Sequence, residues 1–147
     1  MRLTRPVKPD ELLGTWSVDA QYGPGAMDDQ LLHFRADGLG CLEHANLAGA
    51  SAVTFRWRLE ADRLTTSTLG TYRTPDGAFE PFDVDPGGTP FDLVQAAISI
   101  ATEDTLAGVR MRILRLPTGS EHGLLDSLGY VREAPPPDID DLMDLHR

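Results

Sequence analysis

Cysteine and long apolar runs are the first features that this sequence lacks. It has one cysteine, Cys41, among 147 residues, so no internal disulfide can form. No apolar run approaches the roughly 18 residues that a membrane-spanning helix needs. The opening stretch "MRLTRPVKPDELLG" has no apolar segment ahead of a cleavage site, as a signal peptide would. These absences predict a cytoplasmic protein.

Positive charge is also scarce. Lysine and arginine together number 13 against 23 aspartates and glutamates, giving a formal net charge of −10. Binding to nucleic acid depends on a surplus of basic residues, so this balance argues against it. The same charge would suit a basic protein partner. Only one of the 13 basic residues is a lysine and there is a single asparagine, a bias that indicates GC-rich codons and a bacterial source.

Recognisable catalytic and cofactor motifs are missing as well. The sequence has no G-x-S-x-G, no phosphate-binding P-loop and no G-x-G-x-x-G. Asp28-Asp29 and the acidic residues near the C-terminus do not have the spacing of a calcium-binding EF-hand loop. We therefore expect no metal and no cofactor, and the sequence alone does not identify a substrate.

What the sequence does contain is a period-two alternation of apolar and polar residues, typical of half-buried strands. In "VTFRWRLE" the side chains of Val53, Phe55, Trp57 and Leu59 fall on one face, and the residues between them are polar. The turn "ADR" follows, so 52–60 and 63–73 predict a hairpin. Hydrophobic residues at 41% and charged residues at 24% fit one soluble domain of this length.

Two further hairpins follow the same pattern. "QLLHFR" and "CLEHAN" flank a turn at Asp37-Gly38, and "FDLVQAAISIA" and "VRMRILRL" flank "TEDTLAG". "GTWSVDA" and "GYVRE" add the first and last strands, which makes eight, or nine if 79–84 is also a strand. The Pro- and Gly-rich stretch 74–90 predicts a long loop. A short helix is expected before the last strand, with Ser120 as its N-cap and Gly129 just past its end.

These elements predict a single all-β domain, an antiparallel meander barrel of eight to nine strands. An open sheet would leave two edges and one apolar face exposed, with no long helix to cover that face, whereas a barrel removes both problems. A β-sandwich is the alternative. We expect an N-terminal arm at 1–11, the barrel domain at 12–133 and a Pro-rich acidic tail at 134–147.

The tail admits two interpretations. Its acidic residues and prolines are typical of a loosely held terminus. Four apolar residues are instead spaced for one stripe of a short helix, which would dock on another protein. They are Ile139, Leu142, Met143 and Leu145.

Three short motifs carry a resemblance to a known family. "LLGTW" at 12–16, "HFRADGLG" and "TFRWRLEADRLTT" resemble the opening strand and first hairpins of bacterial lipocalin-like (calycin-type) proteins over residues 12–73. The resemblance implies a barrel opened by Gly14 and Trp16. It also implies an arginine from the last strand, here Arg132, stacked on Trp16 as a cation–π pair. A small, largely apolar ligand would lie inside.

The predicted ligand-binding residues combine an aromatic inner face with a few polar groups, as small-molecule pockets do. Buried hydroxyls on that face would need hydrogen-bond partners, which a ligand could supply. The alternative is that the rings simply fill a core. The candidate ligand-binding residues are Trp16, His33, Phe34, His44, Phe55, Trp57, Thr66, Thr68, Tyr72 and Met111.

Histidines and arginines raise further possibilities. With a turn centred on Gly38-Leu39, His33 and His44 would face one another as a metal-binding or acid/base pair, although no third ligand is evident. Cys41 is best explained as a small buried apolar residue. Five arginines are expected to face outward, either paired with acids or forming an anion site. They are Arg56, Arg58, Arg110, Arg112 and Arg115.

Three functional hypotheses remain open at this point. The first is binding of a small apolar or aromatic molecule inside a cytoplasmic lipocalin-like barrel. The second is a barrel enzyme of bacterial secondary metabolism, a cyclase or isomerase that holds a reactive chain in a folded pose. The third is an acidic interaction protein, such as an immunity protein for a basic toxin. No nucleic-acid or membrane partner is expected.

Overall fold

The computed structural model describes residues 7–18, 20, 28–46, 49–74, 79–81, 91–105, 108–117 and 127–147. Within these ranges the chain is mostly antiparallel sheet, with ten strands and two short helices. The helices are α1 (Pro9–Leu12) and α2 (Pro137–Asp144). The strands are β1 (Gly14–Ser17), β2 (Asp28–Phe34), β3 (Leu39–Asn46), β4 (Gly49–Glu60), β5 (Arg63–Arg73), β6 (Glu80–Pro81), β7 (Ala96–Ala97), β8 (Ser99–Asp104), β9 (Arg110–Arg115) and β10 (Ser127–Arg132).

The strands form one sheet in the order β6-β5-β4-β3-β2-β1-β10-β9-β8, so the predicted antiparallel meander is present. The predicted barrel is wrong, because the sheet is not closed among the described residues. There the two ends of the sheet meet through the short strand β7, which pairs with β5 at Arg63–Ala97 and Leu64–Ala96, and through one backbone hydrogen bond from Ile98 to Asp62, while β8 pairs with β9. Two residue pairs do not replace the continuous ladder that a barrel requires.

The described residues contain ten strands rather than eight or nine, because the possible strand at 79–84 is present as β6 and one other predicted strand is divided in two. The segment predicted as one strand over 91–101 is divided, with β7 on β5 and β8 on β9. Gln95, just before β7, has a positive φ of +47°, which turns the chain there. At the other hairpin, Ala61 and Asp62 both have positive φ, the arrangement of a two-residue type I′ turn that joins β4 directly to β5.

Two apolar clusters lie on opposite faces of the sheet. We call the face that carries Trp16, Phe34 and Phe55 the inner face; its cluster contains most of the buried side chains. The opposite face at β3, β4 and β5, which carries Leu39, Cys41 and Ala52, we call the helix face. Strands β3 to β5 therefore carry apolar side chains on both faces where these two clusters lie.

Helix α2 is the layer that covers the helix face. The apolar stripe expected in the C-terminal segment is present: Ile139, Leu142 and Met143 are buried against the sheet of the same chain, whereas Leu145 is exposed. Pro136 lies in the extended region directly before the helix, which matches the stiffening effect of consecutive prolines. The C-terminal segment is thus folded onto the sheet, and the stripe is already occupied.

Polar contacts fix α2 along both sides. The Arg35 guanidinium lies 2.6 Å from Asp37 and 2.8 Å from both Asp140 and Asp144 of α2. The hydrogen bond from Arg35 lowers the pKa of Asp37. Just past the helix, His146 Nε2 lies 2.9 Å from the Thr54 hydroxyl and 3.0 Å from that of Tyr72. Burial lowers the pKa of His146, which favours its neutral form at this contact.

Arg35→Gln is expected to loosen α2 and to lower the free energy of unfolding by about 2 kcal/mol, between the values for exposed and buried ion pairs. The guanidinium is only 14% exposed and contacts three carboxylates, which would lose their common counter-charge. Cys41 lies beneath α2 and is the single cysteine, so its reaction rate with Ellman's reagent measures helix release. We expect a faster reaction in the variant.

Arg58→Gln is the matched control, because Arg58 is exposed and its ion pair is a 3.5 Å contact with the equally exposed Glu60. It should change neither stability nor thiol reactivity. Equal reaction rates for the Arg35 and Arg58 variants would show that Arg35 does not hold the helix in place.

Two sequence predictions fall partly or wholly outside the described residues. Residues 120–126 of the helix expected between Ser120 and Gly129 lie outside the described residues. Residues 127 and 128, also expected to be helical, belong to β10. Most of the loop predicted at 74–90 also lies outside, apart from residue 74 and residues 79–81, which contain the two-residue strand β6. The short helix α1 was not predicted; Pro9 at its first position is a common helix start.

Candidate ligand-binding face

The inner face of β2 to β5 is organised as rows of side chains that run across the strands. The strand register places Phe34, Gly40, Phe55 and Thr68 side by side in what we call the aromatic row. The next row contains Leu32, Leu42 and Val53, each two residues from the aromatic row along its own strand, and Thr71 of β5. We call it the aliphatic row. The next step gives the polar row, formed by Gln30, His44, Ser51 and Arg73.

The aromatic row is a filled core. Phe34 and Phe55 are 1% and 0% exposed, with ring centroids 5.9 Å apart, and Phe55 also packs at 5.0 Å on Phe91. Trp57 packs edge-on against Phe34 at 5.4 Å, and its indole N–H donates to the carbonyls of Arg35 and Leu39. These predicted ligand residues therefore contact one another, as the core-filling interpretation required.

The aliphatic and polar rows are more open. Leu42 and Val53 pack against the core cluster but are only partly buried, and Thr71 is half-buried beside them. In the polar row Gln30 and Ser51 are half-buried and His44 is exposed. Polarity therefore rises along the strands from buried rings, through partly exposed aliphatic groups, to hydrogen-bonding side chains.

Thr66 and Thr68 lie on the inner face as predicted, but their hydroxyls differ. Thr66 donates to the Phe91 carbonyl at 2.6 Å and accepts from the Leu93 N–H at 2.9 Å, so it holds the 91–93 segment against β5. The Thr68 Oγ1 is buried and is the polar side-chain atom without a hydrogen-bond partner among the described residues. An unpaired buried hydroxyl lowers the stability of the folded protein by about 1–3 kcal/mol, so a hydrogen bond from a bound molecule or water at this position would be favourable.

The two histidines predicted to face one another do not. The register of β2 and β3 pairs His33 with Cys41 and His44 with Gln30, because the hairpin turn spans residues 35–38 rather than centring on Gly38-Leu39. His33 lies on the face opposite His44, fully buried. Its Nδ1 is 2.9 Å from the Thr15 hydroxyl and its Nε2 3.3 Å from Glu43. His44 alone lies among the inner-face rows.

Tyr72 also lies on the helix face, contrary to prediction. Between Thr54 and Phe55 the register with β5 shifts, since Thr54 pairs with Gly70 and Phe55 with Thr68, leaving Leu69 as an extra residue. Such a bulge reverses which face the following residues occupy. Tyr72 therefore packs beside Ala52 in the helix-face cluster rather than beside Thr68.

The predicted partner of Trp16 is wrong. The guanidinium over the Trp16 ring belongs to Arg112 of β9, 5.6 Å from the Trp16 centroid and 4.1 Å from that of Tyr130, whereas Arg132 is exposed. Arg112 alternates with Ile113, so it shares the inner face with Leu114 and does not point outward as expected. Met111, predicted to bind ligand, consequently lies on the opposite face of β9 from Leu114.

Gly14 begins β1 and lies against β10. Its φ is +119°, and a Cβ there would lie 2.7 Å from the Arg132 carbonyl and 2.9 Å from the Tyr130 ring. Glycine therefore allows β1 to approach β10 closely. The Trp16 indole N–H donates to the Leu12 carbonyl at 2.9 Å, which ties the start of β1 to α1.

Cys41, a further candidate for chemistry, lies on the helix face. Cys41 is fully buried, and this burial raises the pKa of its thiol, as do the nearby Glu43 and Asp138 carboxylates, so the thiolate nucleophile is disfavoured. Within the described ranges, no cluster of three or more His, Cys, Asp or Glu side chains could hold a metal ion. The helices described there are also too short and too polar to cross a membrane.

Comparison with known proteins found no matching family model, no matching curated sequence and no matching solved structure.

Proposed function

We propose that this protein binds a small, largely apolar molecule on its inner face, with the apolar part over Leu42 and Val53 and a polar group toward the polar row. The observation that carries the proposal is the buried Thr68 hydroxyl, which lacks a protein partner among the described residues. Thr68 belongs to the aromatic row, which lies next to the aliphatic row. On β5 the corresponding residue of the aliphatic row is Thr71, three residues further along because of the bulge. A ligand with a hydrogen-bonding group would satisfy this hydroxyl.

The gradient of exposure supports the same position. Leu42 and Val53 pack against the core yet stay partly accessible, so a bound apolar group would remove additional area from water. Burial of apolar area contributes roughly 25 cal/mol per Å². His44 and Ser51 lie one row further along and offer both donors and acceptors to the polar end of the molecule. Specificity would come from these groups and affinity from the aliphatic row.

The proposal is tested with the neutral fluorescent probe N-phenyl-1-naphthylamine and a pair of variants on β5. Thr71→Phe fills the aliphatic row, and we expect probe affinity to fall about tenfold or more, equivalent to 1.4 kcal/mol. Ser67→Phe places the same ring on an exposed position of the same strand and should leave affinity unchanged. Circular dichroism verifies that both variants fold.

Native mass spectrometry of freshly purified wild-type protein provides a second measurement, because a retained small molecule appears as added mass. Absence of probe binding by the wild-type protein, or equal binding by both variants, would reject the inner face as a binding site.

A further inference from the structure

A groove lies beside the turn that joins β4 to β5. Arg58 and Glu60 follow Ala52 in steps of two along β4, so the groove opens on the helix face, away from the inner-face site proposed above. Its volume is about 200 Å³, below the roughly 300–1,000 Å³ of sites for drug-sized molecules, so it would suit a small ligand. The lining residues are Arg58, Glu60, Ala61, Arg63, Thr65 and Gln95.

Two separate segments of the chain build this groove. The turn returns the chain so that Arg63 of β5 lies opposite Glu60 of β4, and Thr65 lies opposite Arg58. Gln95 comes from the segment before β7, and its backbone N–H donates to the Thr65 hydroxyl at 3.3 Å. Its φ of +47° is unfavourable for a residue with a side chain, and the other two described non-glycine residues with positive φ form the adjacent turn. Unfavourable backbone of this kind is often found at functional sites.

Arg63 contributes a positive charge that no acid neutralises among the described residues. Glu60 lies opposite Arg63 in the strand register, yet its carboxylate contacts Arg58, at 3.5 Å. By contrast, Arg110 and Arg115 of β9 each have an acidic partner on the neighbouring strand. The groove therefore contains two guanidinium groups and one carboxylate, an excess of one positive charge.

We propose that this groove binds a phosphate group, either free or on a small organic molecule. The planar guanidinium groups of Arg58 and Arg63 match phosphate oxygens in pairs of hydrogen bonds. The Thr65 hydroxyl accepts from Gln95, so its own hydrogen is available to the ligand, and the Gln95 side-chain amide adds a further donor. A phosphate has more acceptor oxygens than a carboxylate and can use donors from all four residues.

The net charge of −10 does not oppose an anion at this position. At physiological ionic strength the Debye length is about 8 Å, so distant exposed acids are largely screened and the charges that line the groove dominate. Glu60 is the acidic residue among them. Its pair with Arg58 is weak, because the two side chains are 74% and 67% exposed, and a phosphate dianion would displace it.

Phosphorus NMR at constant ionic strength tests the proposal, with inorganic phosphate and phenyl phosphate as separate ligands. Arg63→Gln should weaken phosphate binding about tenfold or more, because it removes a charge-assisted hydrogen-bonding group. Arg110→Gln is the matched control. Arg110 is 67% exposed, like Arg58, and also lies 3.5 Å from an acid, but it is not part of the groove, so affinity should stay unchanged.

Glu60→Gln should have the opposite effect and strengthen phosphate binding about threefold, because the repelling carboxylate is removed and Arg58 is released. A role of these residues in the stability of the hairpin alone would not produce this gain. The substituted residues Arg63, Glu60 and Arg110 are exposed, so the variants should keep their fold, which circular dichroism verifies.

The two ligands also separate the possible sources of the phosphate group. Tighter binding of phenyl phosphate would identify an organic phosphate as the ligand, and otherwise free phosphate is the ligand. The proposal is overturned if the wild-type protein binds neither ligand, or if the Arg63 and Arg110 variants bind phosphate equally well. Acetate bound as tightly as phosphate also overturns it.

Discussion

Gly40→Ala is expected to lower the free energy of unfolding by about 3 kcal/mol or more, at the upper end of overpacking effects. A Cβ on Gly40 would lie 2.5 Å from Cζ of Phe55 and 2.8 Å from the His33 carbonyl oxygen. Neither group can move freely, because the Phe55 ring is fully buried between Phe34 and Phe91 and the carbonyl belongs to the paired strand β2. Chemical denaturation measures the loss.

A double-mutant cycle identifies the cause of that loss. Phe55→Leu replaces the ring with a smaller side chain, so Gly40→Ala combined with Phe55→Leu should cost clearly less than the sum of the two single changes. Additive effects would mean that the destabilisation does not come from a clash between the alanine Cβ and the Phe55 ring, and would leave the contact with the His33 carbonyl as the explanation.

Thr66→Val is expected to destabilise the protein by about 2–3 kcal/mol. The substitution keeps the shape of the side chain but leaves the Phe91 carbonyl and the Leu93 N–H without the hydroxyl that now satisfies both. Because those groups belong to the segment packed along β5, the loss should also raise hydrogen exchange at Leu93. Unchanged stability would show that the hydroxyl contributes nothing to this contact.

Thr68→Val, the same substitution two residues away on the same face, should have the opposite sign. Its hydroxyl has no partner among the described residues, so removing it should leave the ligand-free protein unchanged or more stable by up to about 1 kcal/mol. If a retained molecule bonds this hydroxyl, the variant should lose that molecule in native mass spectrometry. The pair thus separates a structural hydroxyl from one available to a ligand.

Pairs of neighbouring strands were predictable because their signals are local. The alternation in "VTFRWRLE", the turn residues after it and the Asp37-Gly38 turn are each contained within about ten residues, and β4–β5 and β2–β3 pair as these signals indicate. The third hairpin is also present, but β8 continues to Asp104, into the turn predicted at 102–108. The aromatic row followed from the same alternation. Burial of Ile113 and Leu114 on opposite faces also matches the apolar pair in their strand.

The site residues were less predictable. Alternation assigns each residue of a strand to one face of the sheet, but this assignment holds only as long as no bulge shifts the register. One extra residue at Leu69 moved Tyr72 to the helix face, and a turn placed differently by a residue or two separated His33 from His44. Gly70, directly after Leu69, is the signal that could have predicted this bulge, because a glycine inside a strand often marks one. The partner of Trp16 was also not predictable from the sequence. Arg112 and Arg132 both alternate with apolar residues, and the packing around Trp16 decides which of them stacks on its ring.

By itself the sequence determined the antiparallel pairing of successive strands and the rings that fill the inner face, because period-two alternation and turn chemistry act between near neighbours. The tertiary structure alone decided that the sheet stays open, that α2 covers β3 to β5, and that Arg112 stacks on Trp16. These features join segments far apart in the chain, such as Arg35 and Asp140. Their energies depend on distance and burial in the folded chain, which no local pattern records.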